Sequence, residues 1–301
     1  MDLTSANLQA LFKAYNTNFQ QGFNSLGEQG ALYQQYATVV PSTTAVEVYP
    51  WLKSLPRMRE WLGDRFIHSL EGADFSIKNR KFELTEGIER DAIEDDTYGL
   101  YGPIFEEFDR SSREHPNELT VEVLESNPTC FDGQPFFDAD HPVLDEKGEV
   151  ISVTNDMGGT GPAWYVMDLS RAIKPLVFQR RRDYSFRAIT NLNDSEVFMK
   201  DKFLFGTDAL VNAGPGLWML AVRSKQALTP ENYKAAREAL QSMKGDYGRP
   251  LAVRHTHTMV PSTLEGAARK ILQNQLASGG ESNEWMDTSQ LIMNPWLATA
   301  G

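Results

Sequence analysis

The residues best suited to chemistry are gathered in one short stretch: Cys130, Asp132, Asp138, Asp140 and His141. Within it, Asp138-Ala139-Asp140-His141 offers oxygen and nitrogen donors for a divalent metal. A metal-dependent hydrolase using Asp138, Asp140 and His141 is therefore one reading of the chain. The competing reading is structural, because Gly133, Pro135 and Pro142 surround the cluster and aspartates in turn-rich loops cap their own backbone. The structural role is the expected one. His255 and His257 alternate with apolar residues from Leu251 to Met259, so one strand face could offer both to a metal. No third ligand is near them in sequence, and packing is the simpler role.

Neither glycine-rich stretch completes a nucleotide motif. Gly158-Gly159-Thr160-Gly161 is followed by Pro162 and Ala163, where a phosphate loop places a lysine and a hydroxyl residue. Gly214-Pro215-Gly216 lacks the last glycine and the helix start of a dinucleotide fingerprint and reads as a turn before a strand. Arg180-Arg181-Arg182, with Lys174 and Arg187, forms the basic cluster. On an acidic chain it is expected to pair with the acidic ribbon of residues 71–100, either within the chain or on a neighbouring subunit. No Gly-x-Ser-x-Gly elbow, His-Glu-x-x-His helix or Cys-x-x-Cys pair is present. No catalytic residue, cofactor or metal is expected, and the chain is not expected to be an enzyme.

Composition narrows the field further. At ~150 residues per domain, 301 residues hold about two domains. Forty-one acids against 29 bases give a net charge of −12, which disfavours tight sequence-independent binding to phosphate backbones. Mean hydropathy is −0.42, and no apolar run approaches the ~20 residues that span a bilayer, so a soluble protein with no membrane partner is expected. Met1 to Leu11 lacks a basic segment followed by an apolar one, so no secretory signal is read there and synthesis in a cytoplasm is expected. The single cysteine, Cys130, cannot form an internal disulfide.

The elements that must position these residues follow from periodicity. The first 36 residues carry three charges and six aromatics, and Leu8, Leu11, Phe12, Tyr15, Phe19 and Phe23 fall on one stripe of a helix that must dock on something. Val46 to Phe66, bent at Pro50 and Pro56, predicts a short helix and its approach. Phe75 and Ile77, a polar turn at Lys78 to Lys81, then Phe82, Leu84 and Ile88 predict a β-hairpin ribbon. Only one side of that ribbon is apolar, and residues 71–100 hold nine acids against four bases. Such a ribbon is rarely stable alone.

Glu94-Asp95-Asp96 predicts the start of a long helix lined by Tyr98, Tyr101, Ile104, Phe105 and Phe108, which Pro116 should interrupt or kink. Residues 128–162 read as turns. Trp164 to Pro175 predicts a short helix or strand, and Phe186 to Ile189, Glu196 to Phe205 and Leu217 to Val222 predict strands. Thr229-Pro230-Glu231 opens a helix that Gly245 closes. A strand from Leu251 to Met259 then leads to a helix carrying Leu264 to Leu276 that stops at Gly279-Gly280, and Gln290 to Met293 is a last strand.

This order of pieces resembles the tailed-phage major capsid subunit, and the sequence over nearly its whole length resembles the Mu-like prophage major head subunit family. The residues carrying the resemblance are Trp51-Leu52, Glu60-Trp61, Ser76-Ile77, Lys81-Phe82-Glu83, Ile88 to Asp96 (IERDAIEDD) and Tyr101 to Phe105. They continue with Cys130 to Val143 (CFDGQPFFDADHPV), Arg171 to Gln179 (RAIKPLVFQ), Phe203 to Gly206 (FLFG), Val260-Pro261 and Leu264-Glu265. Residues 144–163 depart from the family in length and composition.

The resemblance implies an α+β protein with the tailed-bacteriophage major capsid (Johnson) fold. Residues 1–36 would form an N-terminal arm and 67–94 an extended β-hairpin loop. Residues 37–66 and 95–225 would form a peripheral domain with its spine helix at 95–126, 226–285 an axial domain, and 286–301 a C-terminal strand and tail. The implied function is self-assembly as homo-hexamers and pentamers into an icosahedral head that encloses double-stranded DNA, touched only weakly and non-specifically. The implied partners are scaffold, maturation protease and portal proteins and a cementing or decoration protein, and the implied location is the virion, assembled in the bacterial cytoplasm. Phe12, Tyr15, Phe19, Phe23, Phe75, Ile77, Phe82, Leu84, Arg180, Arg181 and Arg182 are the expected subunit-contact residues, since projecting apolar elements need a neighbour to cover them. A tail or connector component is the remaining alternative.

Overall fold

The computed structural model describes residues 31–49, 75–95, 101–277 and 280–297. The first half contains α1 (Tyr33–Tyr36), β1 (Ala37–Pro41), β2 (Val46–Val48), β3 (Ser76–Lys78), β4 (Arg80–Glu89), α2 (Arg90–Glu94) and the 25-residue α3 (Gly102–Ser126). Four short strands follow: β5 (His141–Leu144), β6 (Val150–Val153), β7 (Asp156–Gly159) and β8 (Trp164–Met167). Two long strands, β9 (Leu176–Ile189) and β10 (Lys202–Pro215), flank α4 (Ser195–Lys200). The remainder is β11 (Ala221–Lys225), α5 (Pro230–Gln241), β12 (Lys244–Gly245), β13 (Arg249–Pro250), β14 (His257–Val260), α6 (Glu265–Leu272) and β15 (Gln290–Met293). The mixture is α+β, as expected.

Two sheets organise the core. The first has the order β1-β9-β10-β4, with β4 antiparallel to β10 from Arg80↔Val211 to Glu89↔Lys202. Along β10 the side chains alternate, so Phe203, Phe205, Thr207, Ala209 and Val211 are buried while the residues between them are half-exposed. Phe205 meets Phe105 of α3 with ring centroids 4.8 Å apart, which identifies the buried face as the one under the helix. The second sheet has the order β15-β14-β8-β11-β7. Its central strand, Trp164–Met167, is buried at every position, the pattern of a strand covered on both faces. Helices α5 and α6 pack against this sheet, and Thr229 Oγ1 accepts the Asn232 N–H to cap α5 as expected.

Several expectations are corrected. The chain does not turn back at Lys78 to Lys81: β3 pairs with β2 and β4 with β10, so no hairpin joins Phe75–Ile77 to Phe82–Ile88. The cause is Asn79, whose buried side chain donates to Ser42 Oγ and Thr44 O and accepts from Gln179 Nε2, holding the chain extended. Helix α3 begins at Gly102 with no acid in its first turn, and it runs through Pro116 without interruption. Glu94 instead ends α2. Residues 195–200 are helical because the Asp194 carboxylate caps the Glu196 N–H, and Asp201 at φ 50° closes the turn, so the expected strand starts only at Lys202.

Trp218–Leu220 is a single 3-10 turn preceding β11, and within 128–162 three short strands stand where only turns were expected. Ala252 at φ 50° and the Arg254 N–H held by Asp168 break the alternation before His257, so β14 is shorter than the pattern suggested. Helix α6 stops at Leu272, where the Asn283 side chain donates to the carbonyls of Ile271 and Asn274. Val46–Val48 is a strand, not the approach to a helix. The second sheet also draws strands from both sides of residues 225 and 285, so those expected domain limits cut through one sheet. The arm residues Phe12, Tyr15, Phe19 and Phe23, the stretch 50–66 and residues 67–74 of the expected loop lie outside the described residues. The last expected arm residues, Tyr33 and Tyr36, are buried in the core. Among the described residues, no helix is long and apolar enough to cross a membrane.

Candidate functional site

The 130–141 stretch folds into a hydrogen-bonded clamp. The ligand atoms of Cys130, Asp132 and His141 lie within 4.8 Å of one another, whereas Asp138 and Asp140 face other tasks. Asp138 Oδ1 accepts the Asp140 N–H at 2.9 Å, a turn-closing bond, and Asp140 Oδ1 accepts the Ser152 hydroxyl. The trio of Asp138, Asp140 and His141 that the alternative hydrolase reading requires does not converge. His141 is fully buried, with Nδ1 2.6 Å from Asp132 Oδ2, Nε2 3.2 Å from Asn155 Oδ1, and its ring stacked on Trp218 at 3.9 Å and 6°.

The electrostatics of the clamp are those of a lock. Burial pushes the Cys130 thiol well up, and the bond it donates to Asp132 at 2.8 Å adds to that. Burial would raise Asp132, but hydrogen bonds from His141, Cys130 and the Gln134 N–H outweigh it and hold the carboxyl below its ordinary value. A protonated thiol bonded to a carboxylate is neither an activated nucleophile nor a ready metal ligand, since both roles require thiolate. Cys130, Asp132 and His141 could supply three of the four ligands zinc takes in structural sites, yet both His141 nitrogens and the thiol proton are already engaged inside the chain. Asn155 ties the clamp to the second sheet, donating to the carbonyls of Phe136 and Trp218. Sequence reasoning missed Asn155, which looked like one more polar loop residue.

The two histidines do not form a site. His255 lies before β14, buried beside Tyr233 and Thr258, and burial followed by repulsion from Arg237 brings its imidazole down to about 3. His257 is half-buried and bonded through Nδ1 to Thr256. Lys174 donates to the carbonyls of Gln34 and Gln35 at the end of α1. Among the described residues, Arg180 pairs with Asp183, and Arg182 and Arg187 pair with Asp208. These partners belong to β9 and β10, not to the acidic 71–100 segment. Arg181 is exposed.

The expected contact residues divide by face. Ile77 is buried, its side chain close enough to Gly214 that a Cβ there would meet it at 2.5 Å, and Phe75 packs half-buried on the same core. Phe82 and Leu84 point beneath α3, where a cavity of about 230 Å³ is lined by both residues with Ser112, His115 and Tyr184. Residues one step along each strand point the other way. There Thr85, Gly206 and Arg187 stand in one row across β4, β10 and β9, flanked by the rows Glu83-Asp208-Ser185 and Gly87-Leu204-Ile189. They frame a groove of about 210 Å³.

A family model described as Mu-like prophage major head subunit gpT matches residues 8–297. The chain is 39% identical over 308 residues to the major capsid protein of Escherichia phage Mu, covering 99% of this chain and all of that protein. It is 40% identical over 278 residues to the Mu-like prophage FluMu major head subunit of Haemophilus influenzae, covering 89% of each. Among solved structures, the subunit of the bacteriophage JBD30 procapsid superimposes with a TM-score of 0.85 at 37% identity, covering 98% of this chain and 100% of that one. The JBD30 capsid subunit gives 0.75 at 29% identity, covering 88% and 90%. The same phage's capsid decorated with minor capsid protein trimers gives 0.73 at 29% identity over the same shares.

Proposed function

The chain belongs to the family of Mu-like prophage major head subunits, and on that premise we propose that it works as a major capsid protein, its copies building the icosahedral head shell of a tailed phage. The observation that carries this is the match of 98% of the chain to a procapsid subunit at a TM-score of 0.85. The relatives it matches are named a major capsid protein and a major head subunit. A net charge of −12 suits a container, because a basic inner wall would hold packaged DNA and hinder its movement.

The finer features belong to the same proposal. Copies group as hexamers and pentamers, and the shell encloses double-stranded DNA with weak, non-specific contact. Scaffold, maturation protease and portal proteins act during assembly in the bacterial cytoplasm, and a decoration protein covers the finished shell. Helix α3 serves as the spine of a peripheral unit with the first sheet, and the second sheet with α5 and α6 forms the axial unit. The arm residues Phe12, Tyr15, Phe19 and Phe23 and the exposed arginines Arg180, Arg181 and Arg182 contact neighbouring copies. Chemical turnover has no place in this role, and the closed bonding of Cys130, Asp132 and His141 supports that.

Negative-stain microscopy of the purified full chain tests the proposal. Shells, rings or capsomers are the expected result. A chain that stays monomeric at high concentration and carries stoichiometric metal would overturn it.

A further inference from the structure

Phe198 and Met199, adjacent on α4, are 79% and 78% exposed, although α4 itself is firmly held. Asp194 caps its start, Val197 is buried in a small core with Phe105, Phe203 and Phe205, and the Arg90 N–H donates to Asp201 O just past its end. Two large apolar side chains on a rigid short helix cannot fold away into their own chain, so water covers them at a cost until something else does.

The same end of the molecule carries a shape that answers them. Gly206, four residues beyond Lys202 on β10, leaves the floor of the outer groove without a side chain, and Leu204 and Ile189 form its apolar side. A dry cavity of roughly 150 Å³ accommodates benzene, so a groove of about 210 Å³ has room for a phenyl ring. Its rim is electrostatically unfinished. Glu83 stands directly across from Asp208, a like-charge pair that disfavours the ladder. Asp208 is answered by Arg182 and Arg187, while Glu83 has no cationic partner among the described residues. Arg187 rises over the other side with 73% of its side chain exposed. On α4, Glu196 precedes the apolar pair and Lys200 follows it, and the two hold each other in an exposed pair at 2.5 Å, a contact worth little in water that a surface bearing an acid and a base can replace.

We propose that α4 of one copy inserts Phe198 and Met199 into the Gly206 groove of a second copy, with Lys200 reaching Glu83 and Glu196 reaching Arg187. Knob and groove are different patches of one surface, so the contact is heterologous and repeats from copy to copy until it closes into a ring. Gly206 lies four residues beyond Lys202, about 13 Å along β10 at ~3.3 Å per residue, so the groove opens at the end of β10 that follows α4. The inference rests on the self-assembly reading and specifies one of its contacts.

Mixed cross-linking tests it. Copies bearing Phe198→Cys are co-assembled with mass-tagged copies bearing Leu204→Cys, and the assembled particles are oxidised. Buried Cys130 serves as the internal background. The expected result is a disulfide-linked dimer of one tagged and one untagged chain, absent after dissociation before oxidation. In parallel, Phe198→Asp is expected to lower particle yield roughly tenfold or more, as loss of an interface anchor does, while circular dichroism and melting temperature stay unchanged. Particles that form without the mixed dimer, or Phe198→Asp particles at normal yield, overturn the contact and leave the capsid reading intact. A wild-type chain that forms no shell, ring or capsomer overturns both.

Discussion

The Phe82 ring of β4 meets the His115 imidazole of α3 edge-on, with centroids 4.2 Å apart and planes at 68°. His115 Nδ1 lies 2.6 Å from the Tyr184 hydroxyl of β9, so one side chain of the long helix grips two strands of the sheet below it. Phe82→Ala is expected to destabilise the chain by about 2 kcal/mol, below the range for fully buried phenylalanines because Phe82 is half-buried. Lys81→Ala on the outer face is expected to stay within about 0.5 kcal/mol. Urea unfolding of both variants provides the comparison, and equal midpoints would remove this grip from the account.

Acid weakens the fold partly through His255. Burial brings its imidazole down to about 3, so the folded chain favours the neutral ring more strongly than the unfolded chain does. That preference costs nothing above the unfolded value near 6.5, and stability falls as pH drops below it toward the folded value. Between pH 7 and pH 4.5, His255 alone should remove roughly 2–3 kcal/mol. The stability difference between these two pH values should shrink by about that amount in His255→Gln. A difference the same as wild type would mean that His255 is accessible to protons in the folded state.

Gly159 and Gly266 should respond oppositely to alanine. At Gly159, φ is +106° and an added Cβ would lie 2.3 Å from the Lys225 carbonyl carbon, so β7 could not keep its place beside β11. A loss of more than about 2 kcal/mol is expected. Gly266 sits in α6 with open space around it, and Gly266→Ala should gain up to about 1 kcal/mol from helix propensity. Melting temperatures of the pair decide the matter.

Cys130 should be silent toward thiol reagents in the folded chain at pH 8 and react promptly in denaturant, since burial and Asp132 both keep it protonated. Asp132→Asn, which removes the charge that orients His141, should cost about 1.5–3 kcal/mol and speed the reaction of the native thiol. Stoichiometric labelling of the folded wild-type chain within minutes would contradict the clamp.

Two truncations separate arm from core. Removing residues 1–30 should leave a folded chain that fails to assemble. Removing 1–36 also takes away Tyr33, whose ring lies 4.9 Å from Phe178, and Tyr36, whose hydroxyl bonds Thr120, and should lower the melting temperature sharply. Closed shells of normal yield from the shorter truncation would show that the arm is dispensable.

The sequence was most informative where local chemistry and tertiary packing agree. The cap at Thr229 and the strand Gln290–Met293 were readable from capping residues and alternation, and the apolar face of the long helix at Phe105 and Phe108 from periodicity, though not its start or its passage through Pro116. It misled where a distant partner decides the backbone. Asn79 looks like a turn residue, yet Gln179, 100 positions later, holds it in an extended run. Phe198 and Met199 fit an alternating strand until Asp194 caps them into a helix. In the candidate cluster, sequence named the right neighbourhood, but the partner that finishes it, Asn155, carries no local signature and is revealed only by its bonds to Phe136 and Trp218.

The Asn294 side chain donates to the Tyr36 hydroxyl across 258 positions, and β15 supplies an edge of the second sheet. A chain interrupted before Gln290 would have neither: β14 would become an open edge, its unpaired backbone groups ready to join a strand of another molecule.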